Sequence, residues 1–244
     1  MTGRDILIKE IAYADGDIRL RGLLAAPAQG GEGRRPGVLL VPAAFGMNGH
    51  ARDRARMVAS LGYVVLAADL YGDGRSFEAI GEAMQHGGPL MSNIEAWHRR
   101  LNAALTTLRA QPGVDAGRIA AIGFCLGGSS VLELAYAGAD LKAVVSFHGG
   151  LKMSDPSGGA RVTASVLVCH GANDPLVPDA DVVEFQRQMR TGTADWQVQS
   201  YGNTLHAFTD PAADGFNIAA AGYNRDADRR SWQAMETLLA ERLA

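Results

Sequence analysis

The sequence predicts an α/β fold: a mostly parallel, doubly wound sheet flanked by helices, with an antiparallel hairpin at its start. Three observations carry this expectation. Short continuous runs of Val, Leu, Ile and Ala recur along the chain, separated by amphipathic stretches of helical length, as strands buried on both faces between covering helices require. The beginning of the chain instead offers two strand-like segments joined by turn residues. No repeat and no linker divides the chain, so residues 1–244 read as one domain.

Taken in order, Ile6 to Tyr13 (ILIKEIAY) and Ile18 to Pro27 (IRLRGLLAAP) have β character, and Asp15 and Gly16 between them suit a hairpin turn. A Gly- and Arg-rich loop then leads to a short apolar strand from Gly37 to Pro42. From about Gly49 to Leu61, Ala51, Ala55, Met57 and Val58 are spaced for packing, which predicts a helix. GYVVLAADL is the next buried strand. The alternation continues with a helix around Asn93 to Gln111, the strand RIAAIGF, a helix after Cys125, and the strands LKAVVSFHG and SVLVCHG. A helix from about Asp179 to Arg190, the strand WQVQSYG and a last helix from Asp226 to Leu243 complete it. The segment from Gly72 to Asn93 lacks strand character and is dense in Gly and Met. Two readings stand for it: a lid over a site, or a surface excursion containing a short helix.

With 47% hydrophobic and 20% charged residues and a formal net charge of −3, the chain has an ordinary globular composition and no basic field for nucleic acid. Its start, MTGRDILIKE, has no apolar signal core, and no apolar run approaches the length of a membrane span. The expectation is a cytoplasmic protein, monomer or homodimer, that acts on a small molecule and has no membrane or nucleic-acid partner. Cys125 and Cys169 are too few for a disulfide framework or a thiolate metal site. No His, Asp or Glu cluster has metal-ligand spacing, and GDGRS lacks the lysine of a phosphate loop. Neither a metal nor a cofactor is expected.

Cys125 falls where a strand hands over to a helix, in GFCLGG, with Gly123 two residues before it and Gly127 two after. This is the nucleophile elbow G-x-S-x-G with sulfur in place of oxygen. Small flanking residues are needed because the turn is sharp and brings strand and helix into close contact. The helix N-terminus then favours a thiolate and an oxyanion. A buried structural cysteine is the competing reading. In the α/β-hydrolase arrangement an acid and then a histidine follow the nucleophile on loops after later strands. Asp174 (GANDPLVP) and His206 (YGNTLHAF) occupy such loops in that order. Singly, Asp174 reads equally as a turn initiator before proline and His206 as an ordinary histidine. Three roles in order at three strand ends favour a Cys125, Asp174, His206 triad. His148, in FHGG, either touches the site or is a hydrogen-bonded structural histidine, and His170 has the same alternatives; Cys169, inside SVLVC, reads as core.

GFCLGG, HGANDPLVP and LHAFTDP, with AFGMNGHARDRARMVASLGYVVLAADLYG upstream and YNRDADRRSWQAM downstream, resemble the dienelactone hydrolase family over nearly the whole chain from about Gly37. The resemblance implies an α/β-hydrolase fold and a hydrolase of carboxylic esters or lactones. It implies Cys125 as nucleophile, His206 as general base and acid, Asp174 as its orienting partner, and the amides of Leu126 and Ala44 as the oxyanion hole. Ala43, Phe45, Met47, Phe77, Trp97 and Phe208 are candidate pocket residues beside those loops or in the 72–93 segment. The family's glutamate before the F-G of the loop is replaced by Ala43, which implies weaker or differently pH-dependent activation of the thiol. The family's two substrate-clamping arginines fall at Asp73 and Asp210, so a dianionic substrate would be repelled. Arg75 is near enough in sequence to replace one clamp, or is an exposed loop residue. Two further readings remain beside the hydrolase: a catalytically impaired small-molecule binding protein on the same fold, and a redox-responsive thiol.

Overall fold

A computed structural model of the chain describes residues 5–28 and 33–244. The Gly- and Arg-rich loop falls partly outside these residues. Among the described residues, eight strands form one sheet in the order β1-β2-β4-β3-β5-β6-β7-β8. The strands are β1 (Ile6–Asp15), β2 (Ile18–Pro27), β3 (Arg35–Val41), β4 (Val64–Ala67), β5 (Val114–Phe124), β6 (Ala143–Phe147), β7 (Ser165–Gly171) and β8 (Trp196–Tyr201). The helices are α1 (Gly49–Ser60), α2 (Ile80–Ser92), α3 (Ile94–Arg109), α4 (Leu126–Tyr136), α5 (Asp179–Met189) and α6 (Arg225–Arg242). β1 and β2 pair antiparallel, as do β2 and β4. β3 with β4, β6 with β7, and β7 with β8 are parallel. The fold is therefore the mostly parallel sheet with an antiparallel N-terminal hairpin that the sequence predicts. The chain resolves into two compact units, residues 1–121 and 122–244.

In the first unit, β4 is buried along its whole length, while β1 is half-buried at Ile6 and Ile8 on one face and at Ile11 and Tyr13 on the other, with exposed residues between. A strand covered on both faces needs continuous apolar side chains, which β4 has and β1 lacks. β4 ends at Ala67, short of the Leu70 that GYVVLAADL suggests. The reason is Asp69, whose buried carboxylate accepts hydrogen bonds from the N–H groups of Arg21, Tyr71, Gly72 and Gly74. A carboxylate that gathers four backbone donors ends the strand and fixes the turn after it. Arg100, on α3, forms a buried ion pair with Asp15 at 3.1 Å and donates to the carbonyl of Leu70. α1 starts at the cap Asn48, whose side chain accepts from the Ala51 N–H at 3.1 Å, supplying one of the acceptors that a helix start lacks.

The segment from Gly72 to Asn93 is mostly helical: α2 covers Ile80–Ser92 and carries Pro89 in its last turn. Its buried residues are Ala83, Gly87 and Leu90, spaced so that one face packs inward. The helix has 13 residues where the surface-excursion reading expects a short one.

In the second unit, β6 and β7 are buried at every residue. Helix α4 packs on β6, and α6 packs on β6 and β7. A Cβ on Gly128 would lie 2.7 Å from Ser146 Oγ, and one on Gly149 would lie 2.4 Å from the same atom. Glycines at these two positions let the first turn of α4 lie against the end of β6. Ser146 Oγ is itself buried without a hydrogen-bond partner.

Candidate active site

Cys125 joins β5 to α4 with φ 52° and ψ −117°, a conformation that costs a non-glycine residue about 1–3 kcal/mol and persists only when its surroundings enforce it. Gly123 is one enforcing neighbour, since a Cβ there would sit 2.0 Å from the carbonyl oxygen of Gly127. The strand end and the helix start therefore touch through backbone, and the half-buried thiol stands at the turn. The carbonyl of Cys125 accepts the first helical hydrogen bond, from Ser129 N–H at 3.1 Å. The Leu126 amide precedes that bond and belongs to the set that has no acceptor within the helix.

The loops after β7 and β8 are drawn together by Gly171, where a Cβ would lie 2.6 Å from the carbonyl oxygens of both Thr204 and Leu205. Asn173 N–H donates to Thr204 O at 2.9 Å, crossing from one loop to the other. This close approach places Asp174 Oδ2 2.7 Å from His206 Nδ1. Asp174 is 3% exposed, and its other oxygen accepts from Leu176 N–H at 2.8 Å. Nδ1 of His206 is turned to the carboxylate, and its Nε2 is buried and makes no hydrogen bond of regular geometry. Burial by itself would lower the His206 pKa, but the charge of Cys125 and the hydrogen bond to Asp174 outweigh it and raise the value to about 10. A pair whose members favour each other's charged forms titrates jointly.

His148 follows β6 with φ 41° and is 2% exposed. Its Nδ1 accepts from the Cys125 N–H at 3.1 Å, and its Nε2 lies 2.8 Å from Thr209 Oγ1. His148 is hydrogen-bonded, and the bond is made to the amide of the elbow itself. His170 is buried at the end of β7, and burial lowers its pKa against the opposing charges of Asp174 and Asp179. Cys169 is fully buried, which pushes its thiol up to about 12.

Among the candidate pocket residues, Ala43 is half-buried, and Ala44, Phe45 and Met47 are buried in the loop after β3. That loop is zipped to residues 75–77 by Met47 N–H to Arg75 O at 3.0 Å and Phe77 N–H to Phe45 O at 3.0 Å. Gly46 is needed between them: its φ is 71° and a Cβ would meet Arg75 O at 2.3 Å. Tyr71 donates from its hydroxyl to Ala44 O at 2.9 Å, a contact that sequence patterns do not reveal. Phe77 stacks on His86 with ring centroids 4.8 Å apart, and Trp97 is buried near the start of α3. Phe208 is fully buried, with its ring against those of His148 and Tyr201. At the two arginine positions of the family, Asp73 is exposed and lies 4.0 Å from Arg19, while Asp210 is buried and accepts from Ala212 N–H in a turn. Arg75 is exposed.

An open groove of about 510 Å³ lies elsewhere, between the β1–β2 turn and α3, lined by Tyr13, Asp15, Arg99, Asn102 and Thr106 among others. Its Asp15 is already paired with Arg99 and Arg100.

A glycine-enforced strand-to-helix turn with a cysteine at its apex, on a mostly parallel sheet of this strand order, is the arrangement of the α/β-hydrolase fold. The chain belongs to the dienelactone hydrolase family, whose model matches residues 20–243. It is similar to the solved structure called m3DLH, with 46% identity, a TM-score of 0.93, and coverage of 98% of this chain and 99% of that one. It is also similar to a dienelactone hydrolase-like promiscuous phosphotriesterase, P91, from metagenomic libraries, at 43% identity, a TM-score of 0.92, and coverage of 98% and 99%. Among curated proteins, a putative carboxymethylenebutenolidase of Synechocystis sp. is 26% identical over 98% of both chains. The protein is thus a hydrolase of this family with a small-molecule substrate, and no helix among the described residues is long and apolar enough to cross a membrane.

Proposed function

We propose that the protein hydrolyses carboxylic esters or lactones through a Cys125, His206, Asp174 triad and a thioester acyl-enzyme. The observation that carries this reading is the Asp174–His206 hydrogen bond of 2.7 Å together with the raising effect of Cys125 on the same imidazole. Asp174 fixes the ring so that Nε2 accepts the thiol proton, and the thiolate sulfur attacks the carbonyl carbon. The Leu126 amide, at the start of α4, donates to the oxyanion as it forms. By the family resemblance alone we give the second donor role to the Ala44 amide. Collapse of the tetrahedral species breaks the C–O bond, and the alkoxide takes the proton from His206. His206 then draws a proton from water, the hydroxyl attacks the thioester, and the acid leaves as Cys125 is restored.

The test is a screen of esters, thioesters and lactones on wild type and Cys125→Ala, read by turnover and by intact mass. Phosphotriesters belong in the same screen because the 43% identical protein P91 is a promiscuous phosphotriesterase. We expect turnover to fall by about a thousandfold or more in Cys125→Ala, and acyl adducts on Cys125 alone in wild type. Wild-type turnover retained by Cys125→Ala would overturn the reading. Thermal stabilisation by these compounds without turnover would favour the impaired binding protein in its place.

A further inference from the structure

We propose that His148 is a positioning residue of this site: one neutral imidazole, hydrogen-bonded to the Cys125 amide and the Thr209 hydroxyl, holds the elbow and the His206 loop in register. The proposal rests on the reading that Cys125 and His206 act together. Three contacts support it. Nδ1 of His148 accepts from the Cys125 N–H at 3.1 Å, a donor it shares with Phe147 O at 2.9 Å. Nε2 meets Thr209 Oγ1 at 2.8 Å, three residues beyond His206. The ring also stands edge-on to the ring of His206, with centroids 5.2 Å apart at 65°.

Chemistry fixes the state of the ring. A backbone amide only donates, so Nδ1 carries no proton and the neutral ring bears its hydrogen on Nε2, where it donates to the threonine hydroxyl. His148 therefore touches the backbone that presents the sulfur, the loop that carries the base, and the flank of the base itself. Asp174 sets His206 from one side of the imidazole, and His148 sets it from another. Packing alone does not call for an imidazole here. The neighbours Phe124 and Phe208, at 6.2 and 5.1 Å between centroids, would accept a phenyl ring equally well.

That difference gives the test. His148→Phe keeps the ring and loses both hydrogen bonds. His148→Asn loses the ring, keeps an acceptor oxygen near the Nδ1 position, and suits a backbone at φ 41°. Thr209→Val removes only the far hydroxyl. The readouts are kcat and KM on an ester turned over by wild type, and the rate and pH midpoint of Cys125 alkylation by iodoacetamide. Displacing a reacting group by an ångström costs on the order of a hundredfold, so His148→Phe is expected to lose about tenfold to a hundredfold in kcat at little-changed KM. Its alkylation slows and the midpoint rises, and His148→Asn, which keeps only the bond to the Cys125 amide, recovers part of both losses and falls with Thr209→Val between wild type and His148→Phe. Wild-type alkylation and kcat in His148→Phe, or an Asn variant no better than Phe, would overturn the proposal. If His148→Phe does not fold, Thr209→Val decides, and unchanged alkylation and kcat there overturn it equally. Alkylation needs no turnover, so a wild type inactive on every ester defeats the proposed function while the alkylation series still reads the role of His148.

Discussion

Replacing His206 by alanine is expected to lower turnover by about a thousandfold or more and to raise the pH midpoint of Cys125 alkylation. The sign comes from the coupling of the two groups. Burial pulls the His206 pKa down, yet Cys125 and Asp174 together lift it to about 10. The attraction is mutual, so a charged imidazole favours the thiolate by the amount the thiolate favours it. Without the imidazole the thiol loses that support and its midpoint moves up. The complementary variant has the opposite effect: Cys125→Ala leaves burial opposed by Asp174 alone, so the imidazole of His206 titrates well below its wild-type value. Alkylation rates across pH check the first effect, and imidazole NMR titration checks the second. A midpoint unmoved in His206→Ala would separate the thiol from the histidine.

Gly123→Ala is expected to cost about 4 kcal/mol or more, at the upper end of single substitutions. The added Cβ would lie 2.0, 2.2 and 2.8 Å from Gly127 O, Gly127 C and Gly128 N, all of them backbone. No side chain can rotate away, so either α4 shifts from the end of β5 or the turn opens, and both moves displace Cys125. For a domain of this size the loss corresponds to a fall of roughly 8–16 °C in Tm, measurable by calorimetry or by denaturant titration. Gly202→Ala is the control: nothing lies within 4 Å of its Cβ, and its Tm should match wild type. Equal stability of the two variants would mean that the turn yields more readily than its geometry indicates.

What could be read from the sequence was what is local. Gly123 and Gly127 flank Cys125 at a fixed spacing, and Asp174 and His206 follow β7 and β8 in chain order, so pattern alone was enough to place them at strand ends. The hairpin was legible because turn residues separate two strand-like runs, although the turn is Gly16–Asp17 and Asp15 is the last residue of β1, paired with Ile18. The length of α2 was not: its glycines and Pro89 argue against a helix, and it forms because Ala83, Gly87 and Leu90 find a surface to pack on. Nor was the role of His148, since no spacing says which ring nitrogen meets the Cys125 amide or that Thr209, 61 residues away, completes the bridge. The burial of Phe208 was not legible either, because adjacency to His206 in sequence does not decide which way a side chain points. The chain turns through φ 56° at Ala207, and the phenyl ring enters the core.

The two sulfurs also make the molecule its own unfolding clock. Cys125 is half-buried at the turn, whereas Cys169 is fully buried, with its thiol held up at about 12 by that burial. A thiol reagent should therefore count one label per native chain and two per unfolded chain, with mass spectrometry separating the sites. The slow second label, the arrival of reagent at Cys169, would time each opening of the strand that leads to Asp174, independently of whether the enzyme is turning over.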